Sequence, residues 1–189
     1  MLLLVVALPM ILGRQEARLR LEQLKSNIVT FSDLLRLEAD EQSKVNPATY
    51  FSLEIPKIGA YSQVIPNVNT HSQKVYSEAL KQGVAHAAGT LLPGSGGSVT
   101  LFAHSTDLAA NIDTYNAVFY RLDELEVGDT ITLWYMGEKL TYSVVGSRVT
   151  PPADVAVFTK EVNGDKLYLV TCTPRGTTQN RLIVEAKLV

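Results

Sequence analysis

Apolar residues are spaced differently in the two parts of this chain. Between residues 13 and 44, leucine, isoleucine and phenylalanine recur every three or four positions among charged residues, a spacing that predicts helix. Ser32-Asp33 is a candidate break between two helices, and Asn46-Pro47 ends the pattern. We interpret this stretch as a helical stalk, and helices packed on the main domain are an equally good interpretation.

Residues 48–189 carry short apolar runs separated by turn residues, which predicts a mostly β domain. The predicted strands are residues 53–56, 98–103, 130–135, 140–149, 167–172 and 182–189. A short helix is predicted at residues 73–82, where Gly83 ends it, and a helical turn at residues 116–122. Many short strands at close spacing are typical of an antiparallel barrel or sandwich.

The first 12 residues are entirely apolar. A helix that crosses a bilayer needs about 20 apolar residues, so this run is too short to span one alone. We interpret residues 1–13 as part of an N-terminal membrane anchor and residues 14–47 as the stalk or linker; an apolar helix packed on its own domain is the alternative. Arg14, Arg18 and Arg20 follow the run, and positive-inside bias alone would place that flank in the cytoplasm.

Composition narrows the classes of function. The 189 residues include 17 basic and 19 acidic side chains, for a net charge of −2, and 46% are hydrophobic. This balance argues against nucleic acid as a partner, because phosphate neutralisation needs a basic excess. With Cys172 as its single cysteine, the chain forms no intrachain disulfide and no multi-cysteine metal site. The sequence has no HExxH motif or paired-histidine spacing, so it predicts no zinc enzyme and no cofactor.

Three residues with catalytic chemistry stand where a predicted strand meets a loop. Alternation along its strand places Cys172 on one face with Tyr168 and Val170. If the last two predicted strands form a hairpin, Arg181 lies at the same sheet end as Cys172, and an arginine there stabilises a thiolate or an oxyanion. His104, just past another strand, is well placed for proton transfer. A buried structural cysteine is the alternative, and it is the commoner role of a single cysteine.

Four segments of the chain resemble the sortases, membrane-anchored cysteine transpeptidases found mainly on Gram-positive bacterial surfaces. The first is GVAH at 83–86 with GT at 89–90 and PG at 93–94, and the second is LFAHS at 101–105. The third is LEVGDT at 125–130. The fourth is LVTCTP at 169–174, followed by RLIV at 181–184. Glycine often precedes the histidine in this family, whereas Ala103 stands here. The resemblance extends over about residues 50–189, and its details fit class C-, D- and E-like members alike.

The resemblance implies an eight-stranded sortase-like β-barrel with short helices, preceded by the N-terminal helical stalk, with residues 48–189 as the catalytic domain. It implies that Cys172 is the nucleophile, that His104 transfers protons and that Arg181 stabilises the oxyanion.

Other residues of the matching segments are expected to contact substrate. Thr171, next to the nucleophile, is expected to orient substrate, and Ser105 and His86 are expected to bind it. His86 lies among small alanines and is equally interpreted as a structural or groove residue. Arg175 is the rival of Arg181 for the oxyanion, and we interpret it as a solvated loop residue.

The implied activity is cleavage of an LPxTG-like C-terminal sorting signal through a thioacyl enzyme. The acyl group then passes to an amine acceptor on a cell-wall peptide or a pilin lysine. The expected partners are therefore surface or pilin proteins that carry such a signal, and the expected location is the cell membrane, with a single-pass N-terminal anchor and an extracellular catalytic domain. A cysteine hydrolase that uses the same residues and a non-catalytic peptide-binding surface domain are the alternatives.

Overall fold

The computed structural model describes residues 50–105, 117–159 and 164–189. They belong to one compact unit that extends from Val45 to Val189. The predicted membrane anchor, stalk and domain boundary at residue 48 lie outside the described residues and stay predictions. In the described ranges, no helix has the length and apolar character needed to cross a bilayer.

Within these ranges, eight strands close into a barrel. The strands are β1 (Phe51–Ile55), β2 (Ala60–Val68), β3 (Val84–Ala87), β4 (Ser98–Phe102), β5 (Thr130–Tyr135), β6 (Glu138–Thr150), β7 (Lys166–Thr173) and β8 (Asn180–Leu188). The helices are α1 (Gln73–Gln82) and α2 (Ala156–Thr159), with 3-10 turns at Pro56–Ile58 and Leu122–Glu124. The expected mostly β, eight-stranded barrel with short helices is confirmed.

The order of strands around the barrel is β1-β2-β3-β4-β7-β8-β6-β5, and β5 pairs with β1 to close it. Most neighbours are antiparallel, as predicted. The prediction is wrong at two places, because β2 pairs with β3 and β4 pairs with β7 in parallel. Parallel neighbours need a crossover connection rather than a hairpin, and α1 forms part of the connection from β2 to β3.

The barrel interior is the main hydrophobic core. Five strands each contribute a side chain that is 0% exposed, namely Leu53, Leu101, Leu133, Leu169 and Val184. A second apolar cluster, here called the outer cluster, lies on the other face of β7 and β8. It contains Val157, Tyr168, Val170 and Ile183, with Phe102 and Phe158 packed against it. Both faces of β7 are therefore buried over most of its length, which explains its near-continuous apolar sequence.

The predicted strands correspond to β1, β4, β5, β6, β7 and β8, although β1, β6 and β8 each begin two residues earlier than expected. The predicted helix coincides with α1. The sequence did not indicate β2, β3 or α2.

Candidate active site

Cys172 lies near the end of β7, where it is half-buried and forms no disulfide. Leu169 points into the main core, whereas Val170 belongs to the outer cluster. Alternation therefore puts the Cys172 side chain on the outer face of the barrel, as the sequence predicts. Arg181 is its direct partner on β8, so the two side chains share that face at one end of the sheet.

The pairing of β4 with β7 brings His104 to the same place. Phe102 pairs with Val170, and the Ala103 N–H donates to the Val170 carbonyl at 3.2 Å, which continues the ladder past the end of β4. Two residues further along the same register, His104 follows Phe102 as Cys172 follows Val170. Burial lowers the pKa of His104 from its ordinary value of 6.5, so the imidazole is neutral at pH 7.

Thr150, the last residue of β6, is the direct partner of Arg181 on the side away from Cys172. Three neighbouring strands thus carry Cys172, Arg181 and Thr150, and His104 follows the end of the fourth. The four residues form one line across the outer face, which we call the site row. The sequence identified three of these residues and missed Thr150. The only sequence feature that could have indicated Thr150 is its position directly after a predicted strand.

The Arg181 guanidinium is turned toward the loop that joins β7 to β8. Its Nη1 donates to the Asn180 carbonyl at 3.1 Å and to the Thr178 carbonyl at 3.2 Å. Neither bond involves a charged acceptor, so a developing oxyanion above Cys172 is a stronger acceptor for the same donors.

The three side chains expected to bind substrate are all buried. Thr171 is 4% exposed, and its hydroxyl donates to the Ala103 carbonyl at 2.8 Å, which holds the chain just before His104 against β7. Ser105 is 1% exposed, and its hydroxyl has no hydrogen-bond partner within the described residues. Substrate binding by these residues stays a prediction, and the structure gives Thr171 a positioning contact as well.

His86 lies on a different face from the site row. It pairs with Leu101, a main-core residue, and its ring centroid is 5.9 Å from that of Phe51. The Asn67 N–H donates to its Nδ1 at 3.1 Å, and its Nε2 lies 3.0 Å from the Leu91 carbonyl. These bonds agree with the structural interpretation of His86, and they join β3 to the segments on either side of it.

Arg175 is an exposed loop residue, as expected, but it also makes contacts that the sequence did not predict. Its guanidinium pairs with both Asp123 and Glu124 and lies over the Tyr120 ring, 4.7 Å from the centroid. These contacts fasten the loop between Cys172 and Arg181 to the 3-10 turn at Leu122–Glu124, and we call them the Arg175 clamp. The sequence did not predict these ion pairs, because the acidic partners precede Arg175 by about fifty positions in the chain.

The outer cluster borders the site row and was also missed. Phe102 and Phe158 stack edge to face with centroids 6.1 Å apart. The Thr100 hydroxyl donates to the Val157 carbonyl at 2.6 Å, which fixes α2 over β4. Apolar side chains therefore cover the outer face of the sheet at Val170, next to Cys172, and they exclude water from that side of the thiol.

The site row can perform acyl transfer. It places a thiol nucleophile between a neutral imidazole, which accepts its proton, and a guanidinium, which stabilises negative charge on oxygen. The described residues bring together no group of three histidine, cysteine or carboxylate side chains that would hold a metal ion.

Comparison with known proteins points the same way. The family model of the sortase domain matches residues 53–189. Sortase D of Bacillus subtilis (strain 168) is 28% identical over 140 residues, which are 72% of this chain and 62% of that protein. The chain thus spans less than two thirds of the length of this curated relative.

Two solved structures have a similar fold. The sortase D5 transpeptidase of Clostridium perfringens has a TM-score of 0.59 at 27% identity, over 75% of this chain and 79% of that one. Sortase C-1 of Actinomyces oris has a TM-score of 0.62 at 28% identity, over 77% and 76% of the two chains. Relatives of more than one sortase class are therefore similar to this chain.

Proposed function

The chain belongs to the sortase family, and we propose that it is a cysteine transpeptidase with Cys172 as its nucleophile. The observation that carries this proposal is the site row. Arg181 is the direct cross-strand partner of Cys172, and His104 follows the strand that pairs with β7 on its other side. The similarity to a transpeptidase of Clostridium perfringens supports the reaction type.

In the first half-reaction, Cys172 attacks the carbonyl carbon of the Thr–Gly bond in an LPxTG-like sorting signal. His104 accepts the thiol proton, for which its lowered pKa keeps it available at neutral pH. A bond forms between Sγ and the carbonyl carbon, and the carbonyl electron pair moves to oxygen, where Arg181 donates hydrogen bonds to it. The C–N bond then breaks, and His104 returns the proton to the leaving amine. The product is a thioacyl enzyme.

In the second half-reaction, an amine attacks the thioester carbon. His104 accepts a proton from this amine while Arg181 again stabilises the oxyanion. The C–S bond breaks, the Cys172 sulfur takes the proton back from His104, and a new amide bond remains. The apolar outer cluster beside the thiol limits the access of water, which would otherwise hydrolyse the thioester.

The proposed partners follow from this chemistry. The acyl donor is a surface or pilin protein with a C-terminal sorting signal, and the acceptor is an amine on a cell-wall peptide or a pilin lysine. We place the enzyme at the cell membrane, held by its N-terminal segment, with residues 48–189 outside the cell. The apolar residues 1–13 support this placement.

A quenched peptide library of LPxTG-like variants tests the proposal on the full chain. Each peptide is incubated with and without a glycine or lysine amine, and the products are identified by mass spectrometry. We expect a peptide joined to the amine, and a Cys172 adduct heavier by the acyl group when the amine is left out. Cys172→Ala and His104→Ala are expected to abolish both signals. His71→Ala, which removes an exposed histidine, is the matched control and is expected to keep them.

The other outcomes separate the alternatives. Cleavage that yields only the free acid at every amine concentration would contradict transpeptidation and favour a hydrolase with the same residues. Peptide binding without any adduct, together with full retention of binding by Cys172→Ala, would contradict catalysis and leave a peptide-binding domain.

A further inference from the structure

Thr150 completes the site row on the side of Arg181 that faces away from the thiol. The two residues are direct partners of the antiparallel pair β6–β8, so their side chains lie next to each other on the outer face. Cys172 occupies the equivalent position on the other side of Arg181. The arginine therefore stands between the nucleophile and a threonine hydroxyl.

The hydroxyl of Thr150 is buried without a hydrogen-bond partner. The residue is 8% exposed, and its Oγ1 contacts neither solvent nor any polar group within the described residues. Nearly all buried polar groups in folded proteins are hydrogen-bonded, and an exception calls for an explanation. The explanation here lies with the adjacent side chain.

Some N–H donors of Arg181 bind no protein acceptor within the described residues. Of its five N–H groups, only those of Nη1 are engaged by protein acceptors in the described structure, at the Thr178 and Asn180 carbonyls. An unsatisfied acceptor and unsatisfied donors thus lie on neighbouring strands. Because Thr150 and Arg181 are direct cross-strand partners, a rotation of the arginine side chain away from the loop carbonyls can bring them together.

We propose that Thr150 is a positioning residue that holds Arg181 in its catalytic orientation. When substrate binds, the guanidinium leaves the Thr178 and Asn180 carbonyls and turns toward the carbonyl oxygen above Cys172. One N–H of the guanidinium then donates to Thr150 Oγ1, and the others are aimed at the oxyanion. This inference rests on the proposed function, in which Arg181 stabilises the oxyanion.

One substitution distinguishes this role from a purely structural one, because its effects on stability and on kcat are expected to have opposite signs. Thr150→Val keeps the shape of the side chain and removes a buried hydroxyl that has no partner among the described residues, so it is expected to raise the midpoint of thermal unfolding. The same change is expected to lower kcat about tenfold with little effect on KM, because the lost contact acts in the transition state. A structural threonine would not give a more stable and slower enzyme.

The experiment measures amine-dependent transpeptidation and thermal unfolding of the full chain. Thr150→Ser keeps the hydroxyl and is expected to retain most of the wild-type kcat. Thr130→Val changes an exposed threonine at the start of β5 and is the matched control, with unchanged kcat. In an Arg181→Lys background, Thr150→Val is expected to have no further effect, because the residue acts through the guanidinium.

The results that would overturn the inference are distinct from those that would overturn the proposed function. Wild-type kcat in Thr150→Val, beside inactive Cys172→Ala and Arg181→Ala variants, contradicts the role of Thr150 alone. An equal loss from Thr150→Val in the wild-type chain and in the Arg181→Lys background does the same. Amine-dependent product from Cys172→Ala contradicts the proposed function, and the inference fails with it.

Discussion

His86 shows how its surroundings fix the protonation state of a single side chain. The residue is 2% exposed, and burial lowers its pKa from the ordinary value of 6.5. Because a backbone N–H donates to Nδ1, that nitrogen carries no proton, and the ring is held as the neutral tautomer with its proton on Nε2. His104 is a half-buried histidine whose pKa is also lowered by desolvation, but it stands in the site row.

These two histidines make folding sensitive to acid. In the unfolded chain they bind protons near pH 6.5, whereas in the folded protein they do so only at lower pH. The unfolded state therefore binds more protons, and the free energy of unfolding falls as the pH drops below about 6.5. We expect denaturant unfolding to show this fall between about pH 7.5 and about pH 5, and His86→Gln to reduce its slope.

His71→Gln is the control for this prediction, because it removes an exposed histidine. It is expected to leave the slope of the wild type unchanged. An equal slope in wild type and His86→Gln would assign the acid sensitivity to other groups.

For single residues, the sequence predicted contacts between segments that are close together in the chain and not between distant ones. Cys172 and Arg181 were predicted to be neighbours because a single loop joins their strands, and the register of β7 with β8 agrees. The placement of His104 beside them depends on contacts such as that between Thr171 and Ala103, which lie 68 positions apart in the chain. No periodicity encodes such a parallel pairing. The position of His104 just past a predicted strand made it a candidate for proton transfer, and the family resemblance placed it in one site with Cys172 and Arg181.

At the scale of elements, the Arg175 clamp sets the position of the loop between Cys172 and Arg181. Hydrogen bonds from Arg121 and Arg175 lower the pKa of Glu124 to about 2, so the acidic side of the clamp stays charged at physiological pH. The clamp is exposed, and solvent screens it, so its main effect is on the local position of the loop rather than on global stability.

Arg175→Gln is expected to lower kcat/KM by about tenfold, because a small displacement of groups that contact substrate has a large effect on rate. It is also expected to speed proteolysis within residues 173–179 while the midpoint of thermal unfolding changes little. Arg121→Gln is the matched control, since Arg121 also pairs with Glu124 but lies on the same 3-10 segment. An Arg175→Gln variant with wild-type kinetics and proteolysis would show that the loop keeps its position without the clamp.

The elements that the sequence did not reveal have atypical patterns. In β2, the inward positions include Ser62, and Tyr61 is 58% exposed, so the strand lacks the alternation of apolar and polar residues. The Val84 N–H donates to the Ser62 hydroxyl at 3.2 Å, which ties β2 to β3. A Cβ at Gly83 would lie 2.4 Å from the Gln63 carbonyl oxygen, so this close approach of β2 requires glycine. The glycine was interpreted only as the end of a helix.

At the scale of the whole molecule, the fold depends on contact between the first described strand and the middle of the chain. Phe51 pairs with Tyr135, and their ring centroids are 5.2 Å apart in an edge-to-face arrangement. Phe51 is 1% exposed, so its ring is part of the core that β1 completes when it joins β5. The strand pattern predicted a barrel or a sandwich, and the family resemblance implied the barrel. This closure was not predictable from the pattern, because it joins distant segments.

Phe51→Ala is expected to lower the free energy of unfolding by about 3 to 5 kcal/mol, as removal of a buried phenylalanine leaves a cavity. Denaturant unfolding measures this loss. Tyr50→Ala removes a neighbouring aromatic side chain that is 44% exposed, and it is expected to have a much smaller effect. Equal effects of the two substitutions would mean that β1 does not complete the core.

The closure of the barrel by β1 also gives the molecule a base and a top. Phe51 pairs with Tyr135 and Leu188 pairs with Tyr142, near the turn between β5 and β6, whereas Thr150 at the other end of β6 lies beside Arg181. Along β8, Arg181 and Leu188 are about 24 Å apart, at about 3.4 Å per residue. A solid support or a label joined to the end of β8 is therefore attached at the base of the barrel. Such an attachment leaves the opposite end of the sheet, which carries Cys172, open to bulky macromolecules.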